Sequence, residues 1–241
     1  MPVEPASAYT PVPVVAAWDE TAALHGLTLA LPPELARLHQ APGQVVKLRG
    51  AAGEGYFAIA SAPSPNASAG ERIDLLLKRG APVADALLAA ATVGARLETS
   101  PPFGRGFPLD EARGRELLLF AAGSGISPIR ALLQAVLAER ERYGRVALFY
   151  GQRGHEEFAY LREQVEWARA GVHVVLCASK PNQTWEGPRG YVQEVAESLS
   201  WLEIDPSRAV AFLCGMKPMV SGVREVLERA GVGAGRVFLN Y

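Results

Sequence analysis

The sequence contains few of the residues that build metal centres and disulfide frameworks. Its 241 residues include two cysteines, Cys177 and Cys214, which are far apart and form no Cys-x-x-Cys pair. The four histidines are scattered, without the spacing of metal ligands. We therefore expect no disulfide framework, no metal site and no cysteine-ligated iron–sulfur cluster, and the two thiols suggest a reducing, cytoplasmic setting.

The sequence also lacks an excess of charge and any long apolar run. Its 24 basic and 25 acidic residues nearly cancel, so the net charge gives no argument for nucleic acid or an anionic membrane as partner. No apolar run approaches the roughly 20 residues of a membrane span, and residues 1–10 do not resemble a secretory signal. We expect a soluble, unprocessed protein that binds a small molecule.

The first part of the chain shows a period of two. Segments 27–31, 46–49 and 73–78 alternate apolar with polar side chains, and proline and glycine separate them. This pattern predicts a small antiparallel barrel. An alanine-rich helix over 83–91 is expected to cover one opening of the barrel.

The second part alternates strands with helices, which predicts a doubly wound parallel sheet. The proline- and glycine-rich segment 101–108 separates the two patterns, so we predict domains over 1–110 and 111–241. The predicted parallel strands are 117–122, 146–150, 172–178, 209–213 and 236–239.

Two helices of the second part carry apolar stripes and are expected to pack on the sheet. One stripe lies within residues 219–230. The other consists of Phe158, Leu161, Val165 and Ala168.

The most specific motif follows the first parallel strand, where residues 123–128 read Gly-Ser-Gly-Ile-Ser-Pro. Glycines permit a tight bend and a close ligand, Ser127 is suited to cap a helix, and Pro128 is suited to its start. Backbone amides at such a helix start bind phosphate. The same residues also fit an ordinary strand-to-helix turn, so the motif alone leaves both interpretations open.

A second segment is expected beside this loop. Ligands of open α/β sheets bind beyond the carboxyl ends of the strands, where the strand order reverses. With the order 3-2-1-4-5, residues 214–219 after the fourth strand lie next to the loop. Cys214 is then either a ligand-facing residue or a small buried residue at a strand end.

Five segments occur in the order typical of one enzyme family. The chain resembles the ferredoxin–NADP reductase family, which implies that a six-stranded antiparallel flavin-binding barrel precedes a doubly wound pyridine-nucleotide domain. The family's Pro-Gly-Gln strand entry, interdomain glycine segment and Gly-x-Gly-x-x-Pro pyrophosphate loop all have counterparts here. The matching segments are 41–44, 103–107, 123–128, 150–153 and 214–215.

The resemblance implies a pyridine-nucleotide site at the edge of the parallel sheet. Part of this site would hold the pyrophosphate and part would face the nicotinamide. The implied residues are Gly123, Ser124, Gly125 and Pro128 at the pyrophosphate, and Cys214 and Gly215 at the nicotinamide.

The resemblance also indicates which nucleotide binds. Members that use NADP place a Ser-Arg pair and then Lys-x-Tyr around the 2′-phosphate. Ser179-Lys180 and Arg189-x-Tyr191 keep this chemistry with lysine and arginine exchanged, and Arg153 adds a cation. These residues also fit a solvated loop. We predict NADP(H) in preference to NAD(H).

The flavin segment departs from the family pattern. The family's Arg-x-Tyr-Ser-x-x-Ser aligns with residues 55–61, where Gly55 replaces the arginine and Phe57 and Ala58 replace the tyrosine and serine. Only Ser61 is kept. The loss of the arginine removes a phosphate contact that contributes about 1.5–3 kcal/mol.

Four further residues are assigned to the flavin site. Ile59 lies within the aligned segment, and Ala84 replaces the serine of a Gly-x-x-Ser helix cap whose amides still offer donors. Lys78 is a candidate compensating cation, or alternatively a charged strand end. The final residue, Tyr241, is expected either to stack on the flavin until nicotinamide displaces it or to close the domain interface.

The sequence thus favours a flavin-dependent oxidoreductase. A hydride passes between NADP(H) and FAD, with FMN as the alternative flavin, while Cys214 positions the nicotinamide and Tyr241 gates it. Electrons then leave for a separate acceptor, a protein or a small molecule. One rival hypothesis is a flavinless NADP(H)-binding or regulatory protein on the same fold, and another is a flavoprotein that uses NADH.

Overall fold

The protein is built from two sheets that pack side by side. The computed structural model describes residues 9–65, 70–197 and 203–240. The first part of the chain forms a six-stranded antiparallel sheet and the second forms a five-stranded parallel sheet. The predicted fold class, a barrel followed by a doubly wound α/β sheet, is confirmed.

The antiparallel sheet closes on itself around an aliphatic core. Its strands are β1 (Thr10–Asp19), β2 (Leu24–Leu31), β3 (Val45–Gly50), β4 (Gly53–Ala58), β5 (Glu71–Lys78) and β6 (Arg96–Thr99). Their order is β4-β3-β6-β1-β2-β5, and a bridge between Ile59 and Leu75 joins the two outer strands. Leucine, isoleucine and valine from alternate positions fill the interior, as the period of two predicts.

Two helices accompany this barrel. The short α1 (Pro33–Ala36) follows β2, and α2 (Pro82–Ala90) lies between β5 and β6. Leu87 of α2 is fully buried in the barrel core. The predicted helix over 83–91 is therefore confirmed.

The strand order of the parallel sheet is the predicted order 3-2-1-4-5. Its strands are β7 (Glu116–Ala122), β8 (Val146–Gln152), β9 (Val172–Ala178), β10 (Ala209–Cys214) and β11 (Val237–Leu239). They are arranged β11-β10-β7-β8-β9, so the strand order reverses on either side of β7. Successive side chains of β7 enter two separate cores, because helices cover both faces of the sheet.

The helices of this half are α3 (Ile126–Ala138), α4 (Leu161–Arg169), α5 (Val192–Ala196) and α6 (Lys217–Arg229). Met219, Val223 and Leu227 of α6 are buried against the sheet, which confirms the apolar stripe predicted there.

The stripe predicted for the other helix is wrong. Leu161 and Val165 are 53% and 51% exposed, whereas Gln164 and Trp167 are the buried residues of α4. The prediction assumed one helix from residue 158 onward. Tyr160 adopts a left-handed conformation with φ of 59°, and α4 begins only after it, so the helical phase starts anew at Leu161.

Buried contacts hold the two halves together. The rings of Phe107 and Phe212 meet edge to face with their centroids 5.3 Å apart. Arg130 of α3 reaches the barrel and donates to the carbonyl oxygen of Ala60 at 2.9 Å. A short 3₁₀ helix, Leu109–Ala112, connects the halves. The domain boundary near residue 110 stays a prediction.

Candidate functional site

The glycine loop lies at the carboxyl end of β7. Residues Gly123–Gly125 form one 3₁₀ turn that leads directly into α3. Gly123 has φ of +60°, a conformation that favours glycine, and a Cβ added there would meet nothing within 4 Å. The loop therefore bends sharply beside open space.

The loop touches the segment that follows β10. A Cβ added to Gly125 would lie 2.3 Å from the carbonyl oxygen of Cys214 and 3.2 Å from the amide nitrogen of Gly215. Gly215 is equally confined, because its added Cβ would lie 2.4 Å from the Met219 side chain. The structure thus brings together the two segments that the strand order predicted to be neighbours.

Cys214 carries its thiol in protonated form. The residue is partly exposed and packs at the margin of an apolar core. Removal of the thiol from water raises its pKa to about 12. At neutral pH the side chain is therefore a small neutral group at the sheet edge, not a nucleophilic thiolate.

The start of α3 differs from the expectation in one respect. Gly125 occupies the N-cap position, so the prediction that Ser127 caps the helix is wrong. Ser127 lies in the first turn instead, and its buried hydroxyl has no hydrogen-bond partner among the described residues. Pro128 is also in this turn, where a missing amide hydrogen costs no helical bond. Uncapped amides and a free hydroxyl fit an anionic ligand.

Two cationic residues are joined through their backbones where β8 and β9 end. The amide of Lys180 donates to the carbonyl oxygen of Arg153 at 2.8 Å, and that of Ser179 donates to Gln152 at 3.0 Å. Within the described ranges, the exposed side chains of Arg153 and Lys180 have no polar partner. The nearby carboxylate of Glu156 folds back over Gly154.

Arg189 and Tyr191 lie beside this pair. A backbone bridge joins Arg189 to Ala178 at the end of β9. The guanidinium of Arg189 donates to the carbonyl oxygens of Asn182 and Trp185, at 3.2 and 2.9 Å, so it braces the preceding loop. Tyr191 stands at the N-cap of α5 with its side chain 53% exposed.

The predicted flavin segment runs from the end of β4 into the barrel wall. Ile59 is fully buried, whereas Phe57 and Ala58 are half-buried. The hydroxyl of Ser61 accepts a hydrogen bond from the amide of Asp74 at 3.1 Å. Ala84 is buried in the first turn of α2. This segment therefore offers a largely apolar surface with two hydroxyls, that of Ser61 and that of the exposed Tyr56.

Comparison with known proteins identifies the family. The model of the family described as oxidoreductase NAD-binding domain matches residues 119–225. The ferredoxin–NADP reductase B of Sorangium cellulosum is 33% identical over 202 residues, which cover 80% of this chain and 78% of that protein. The chain belongs to the ferredoxin–NADP reductase family.

Two further proteins show how this reductase relates to others. XylA, the electron transfer component of a xylene/toluene monooxygenase from Pseudomonas putida, is 30% identical over 188 residues, 76% of this chain and 51% of XylA. The reductase thus spans about half the length of XylA. The structure of a ferredoxin NADP+ reductase from Neisseria gonorrhoeae with bound FAD and NADP has the same fold, with a TM-score of 0.80 at 17% identity over 97% of this chain and 98% of that one.

Family membership confirms the predicted enzyme class. The chain is an NAD(P)H-dependent flavin oxidoreductase, and its family binds FAD and NAD(P). The residues around the glycine loop fit a pyridine nucleotide, because they combine open space, free amides and nearby cations. The preference for NADP(H) and the individual site residues stay predictions.

Some of the predicted site residues lie outside the described residues or have no contact that assigns them to the site. Tyr241 lies outside the described residues, so its stacking role stays a prediction. Lys78 is exposed at the end of β5, without a polar partner in the described part of the chain. No described helix combines the length and apolar character that a membrane crossing requires, and the described residues contain no cluster suited to a metal ion.

Arg130 links the two halves of the reductase and is not among the residues predicted from the sequence. Besides Ala60, its guanidinium binds the carboxylates of Asp74 at 2.9 Å and Glu163 at 2.8 Å. Burial acts to lower the pKa of Arg130, but the Glu163 and Asp74 carboxylates outweigh it and raise that pKa above its usual range. An arginine within the apolar sequence of α3 was the one available signal.

Proposed function

We propose that this reductase transfers a hydride between NADPH and a flavin, and that the electrons then leave for a separate acceptor. The observation that carries the proposal is the contact between the glycine loop and the Cys214–Gly215 peptide. It supports one continuous dinucleotide site across β7 and β10, because a ligand on the loop at Gly125 also reaches the residues after β10.

The residues of the chain bind and orient the reactants. The Gly123–Gly125 turn and the first turn of α3 offer amides to the pyrophosphate, and Cys214 provides a small neutral wall for the nicotinamide. A bound flavin supplies the two-electron redox chemistry. Because direct hydride transfer needs no general base, positioning is the main contribution of these residues.

The cations at the ends of β8 and β9 support NADPH as the nucleotide. Arg153 and Lys180 are joined through their backbones and lack acidic partners in the described ranges. Two such free cations favour the dianionic 2′-phosphate over an uncharged ribose hydroxyl. Arg189 would shape the loop more than it binds phosphate, because its guanidinium already holds two carbonyl oxygens.

A separate acceptor is supported by the relatives. XylA is by name an electron transfer component of a monooxygenase, and a reductase component of propane 2-monooxygenase from Rhodococcus jostii is 26% identical over 69% of this chain. The acceptor would therefore be another protein or a small molecule.

Anaerobic reduction of protein-bound flavin by NADPH and by NADH tests the proposal. We expect faster reduction by NADPH, and we expect Lys180→Gln to lower kcat/KM for NADPH by about tenfold or more while NADH is little affected. Arg72→Gln, which removes an exposed cation on the barrel, is the matched control. Equal losses for both nucleotides would contradict the role of Lys180, and an unreduced flavin would contradict the function.

A further inference from the structure

The space beside Gly55 is already filled by apolar side chains. In the family pattern an arginine at this position holds the flavin phosphate. Here a Cβ added to Gly55 would lie 3.1 Å from the Phe57 ring and 3.3 Å from a methyl group of Val83. Phe57 and Val83 pack against the barrel core, so a side chain at position 55 would begin in tight contact with two apolar groups.

The neighbouring helix start is also unfavourable for an anion. The N-cap of α2 is Ala81, which provides no side-chain hydrogen bond, and the first helical residue, Pro82, has no amide hydrogen. The carboxylate of Asp85 lies in this first turn and accepts a hydrogen bond from the amide of Gly80 at 2.9 Å. A negative group therefore already occupies the positive end of the helix.

Two nearby cations are already paired with carboxylates. Arg79, directly before Gly80, is paired with the carboxylate of Asp19. Lys47 of β3 is paired with Glu54 at 2.8 Å. Lys78 is exposed at the end of β5 and has no polar partner in the described part of the chain, so it is the cation that the Lys78→Gln variant below examines. The site thus has an apolar surface suited to a ring but a poor set of donors for phosphate.

Resting on the proposed function, we infer that the flavin is an exchangeable substrate of this reductase, recognised by its ring and not by its phosphates. NADPH gives a hydride from its C4 to N5 of the flavin, and a proton from solvent completes the dihydroflavin. Two electrons leave NADPH, NADP+ and reduced flavin dissociate, and the free dihydroflavin is the small molecule that carries electrons to the acceptor. Riboflavin, FMN and FAD share the ring, so all three are substrates.

Titration of the purified full chain with riboflavin, FMN and FAD, followed by flavin fluorescence, tests the inference. We expect dissociation constants for the three flavins that differ by less than tenfold, and loss of flavin during gel filtration. An arginine–phosphate contact would instead favour FAD by a factor of about ten to over a hundred. FAD that binds at least about tenfold tighter than riboflavin, or that stays bound during gel filtration, would overturn the inference and leave the proposed function intact.

Charge variants at the helix start provide a second measurement. Asp85→Asn keeps an acceptor for Gly80 but removes the charge, so at low salt FMN and FAD should bind about two- to fivefold tighter while riboflavin is unchanged. Glu34→Gln, an acidic residue in the first turn of α1, is the matched control.

Two results would contradict the account of the phosphate region. Weaker binding of FAD but not riboflavin by Lys78→Gln would show that this lysine holds the phosphate after all. If none of the three flavins binds and NADPH reduces none of them, both the inference and the proposed function fail, and the flavinless hypothesis replaces them.

Discussion

Glycine plays two distinct roles at the predicted nucleotide site. Gly123 supplies a positive φ in open space, whereas Gly125 lets two backbones approach within the distance that a side chain would need. The sequence motif contains glycine at both positions, but it does not show that the two glycines have different roles. The second role depends on a segment almost 90 residues later in the chain, whose approach only the folded sheet reveals.

Gly125→Ala should therefore damage the site as well as the fold. The added Cβ would lie 2.3 Å from the carbonyl oxygen of Cys214, so the two segments must move apart. We expect a loss of about 1–3 kcal/mol in the free energy of unfolding and a raised KM for NADPH. Denaturant unfolding and steady-state rates measure the two effects.

Gly94→Ala is the control for this substitution. Gly94 has φ of +90° with nothing near an added Cβ, so the change should cost about 1–2 kcal/mol through backbone strain alone. Its KM should stay that of the parent protein. An unchanged KM in Gly125→Ala would show that the contact with Cys214 is unimportant for nucleotide binding.

The two thiols predict how stability depends on alkaline pH. Burial raises the pKa of Cys177 and of Cys214 from 9.0 to about 12, so the folded state favours the neutral thiols. Their contribution is complete below pH 9 and is lost as the pH rises toward 12, because only the unfolded chain then releases the protons. Each thiol adds up to about 1.4 kcal/mol per pH unit to this decline.

Cys177→Ala should make that decline shallower. Cys177 is fully buried, and the substitution removes one titrating group. The measurement is the slope of unfolding free energy against pH above 9, which is insensitive to the constant cost of the smaller side chain. A slope identical to that of the parent protein would show that the Cys177 thiol does not contribute to the loss of stability at alkaline pH.

Among the secondary-structure elements, α4 shows why periodicity alone was insufficient. Phe158 is buried as predicted, yet it precedes the helix, and the left-handed Tyr160 separates it from the helical phase. A single non-glycine residue with positive φ is not visible in an apolar pattern. The predictions of α2 and of the apolar stripe of α6 are confirmed, because no such break interrupts these helices.

The observed phase of α4 makes a direct prediction. Trp167 is 3% exposed and belongs to the core beneath the sheet, so Trp167→Ala should cost about 3–5 kcal/mol. Leu161→Gln, at a position that is 53% exposed, should change stability by less than about 0.5 kcal/mol. Urea denaturation measures the stability of both variants. A larger loss for Leu161→Gln than for Trp167→Ala would contradict the observed phase of α4 and support the stripe predicted from the sequence.

At the scale of the whole molecule, one helix connects both halves of the proposed reaction site. The glycine loop leads into α3, and Arg130 one turn later binds the carbonyl oxygen of Ala60, next to the predicted flavin residue Ser61. Motif order predicted two neighbouring sites. It did not predict this connection, because the partners of Arg130 are far from it in the chain. Ala60, Asp74 and Glu163 are 70, 56 and 33 residues away.

Removal of this connection should affect stability and turnover together. Arg130→Met leaves the carboxylates of Asp74 and Glu163 without their cation, so we expect a loss of about 3–5 kcal/mol. Because the two sites lose their common support, kcat should fall more than the affinity for NADPH. Arg145→Gln, which breaks an exposed pair with Glu203, should cost less than about 1 kcal/mol. Equal losses of stability and of kcat in the two variants would show that Arg130 does not support the two sites.

The central claim is that a hydride passes directly from NADPH, bound at the edge of the parallel sheet, to a flavin on the barrel. Anaerobic stopped-flow mixing of the protein and flavin with NADPH deuterated at C4 tests it most directly. The account predicts bleaching of the visible flavin band, with a slower rate for one of the two C4-deuterated stereoisomers and for Gly125→Ala. Bleaching that is absent, or that is insensitive to deuterium at either position when reduction is rate-limiting, would contradict the claim.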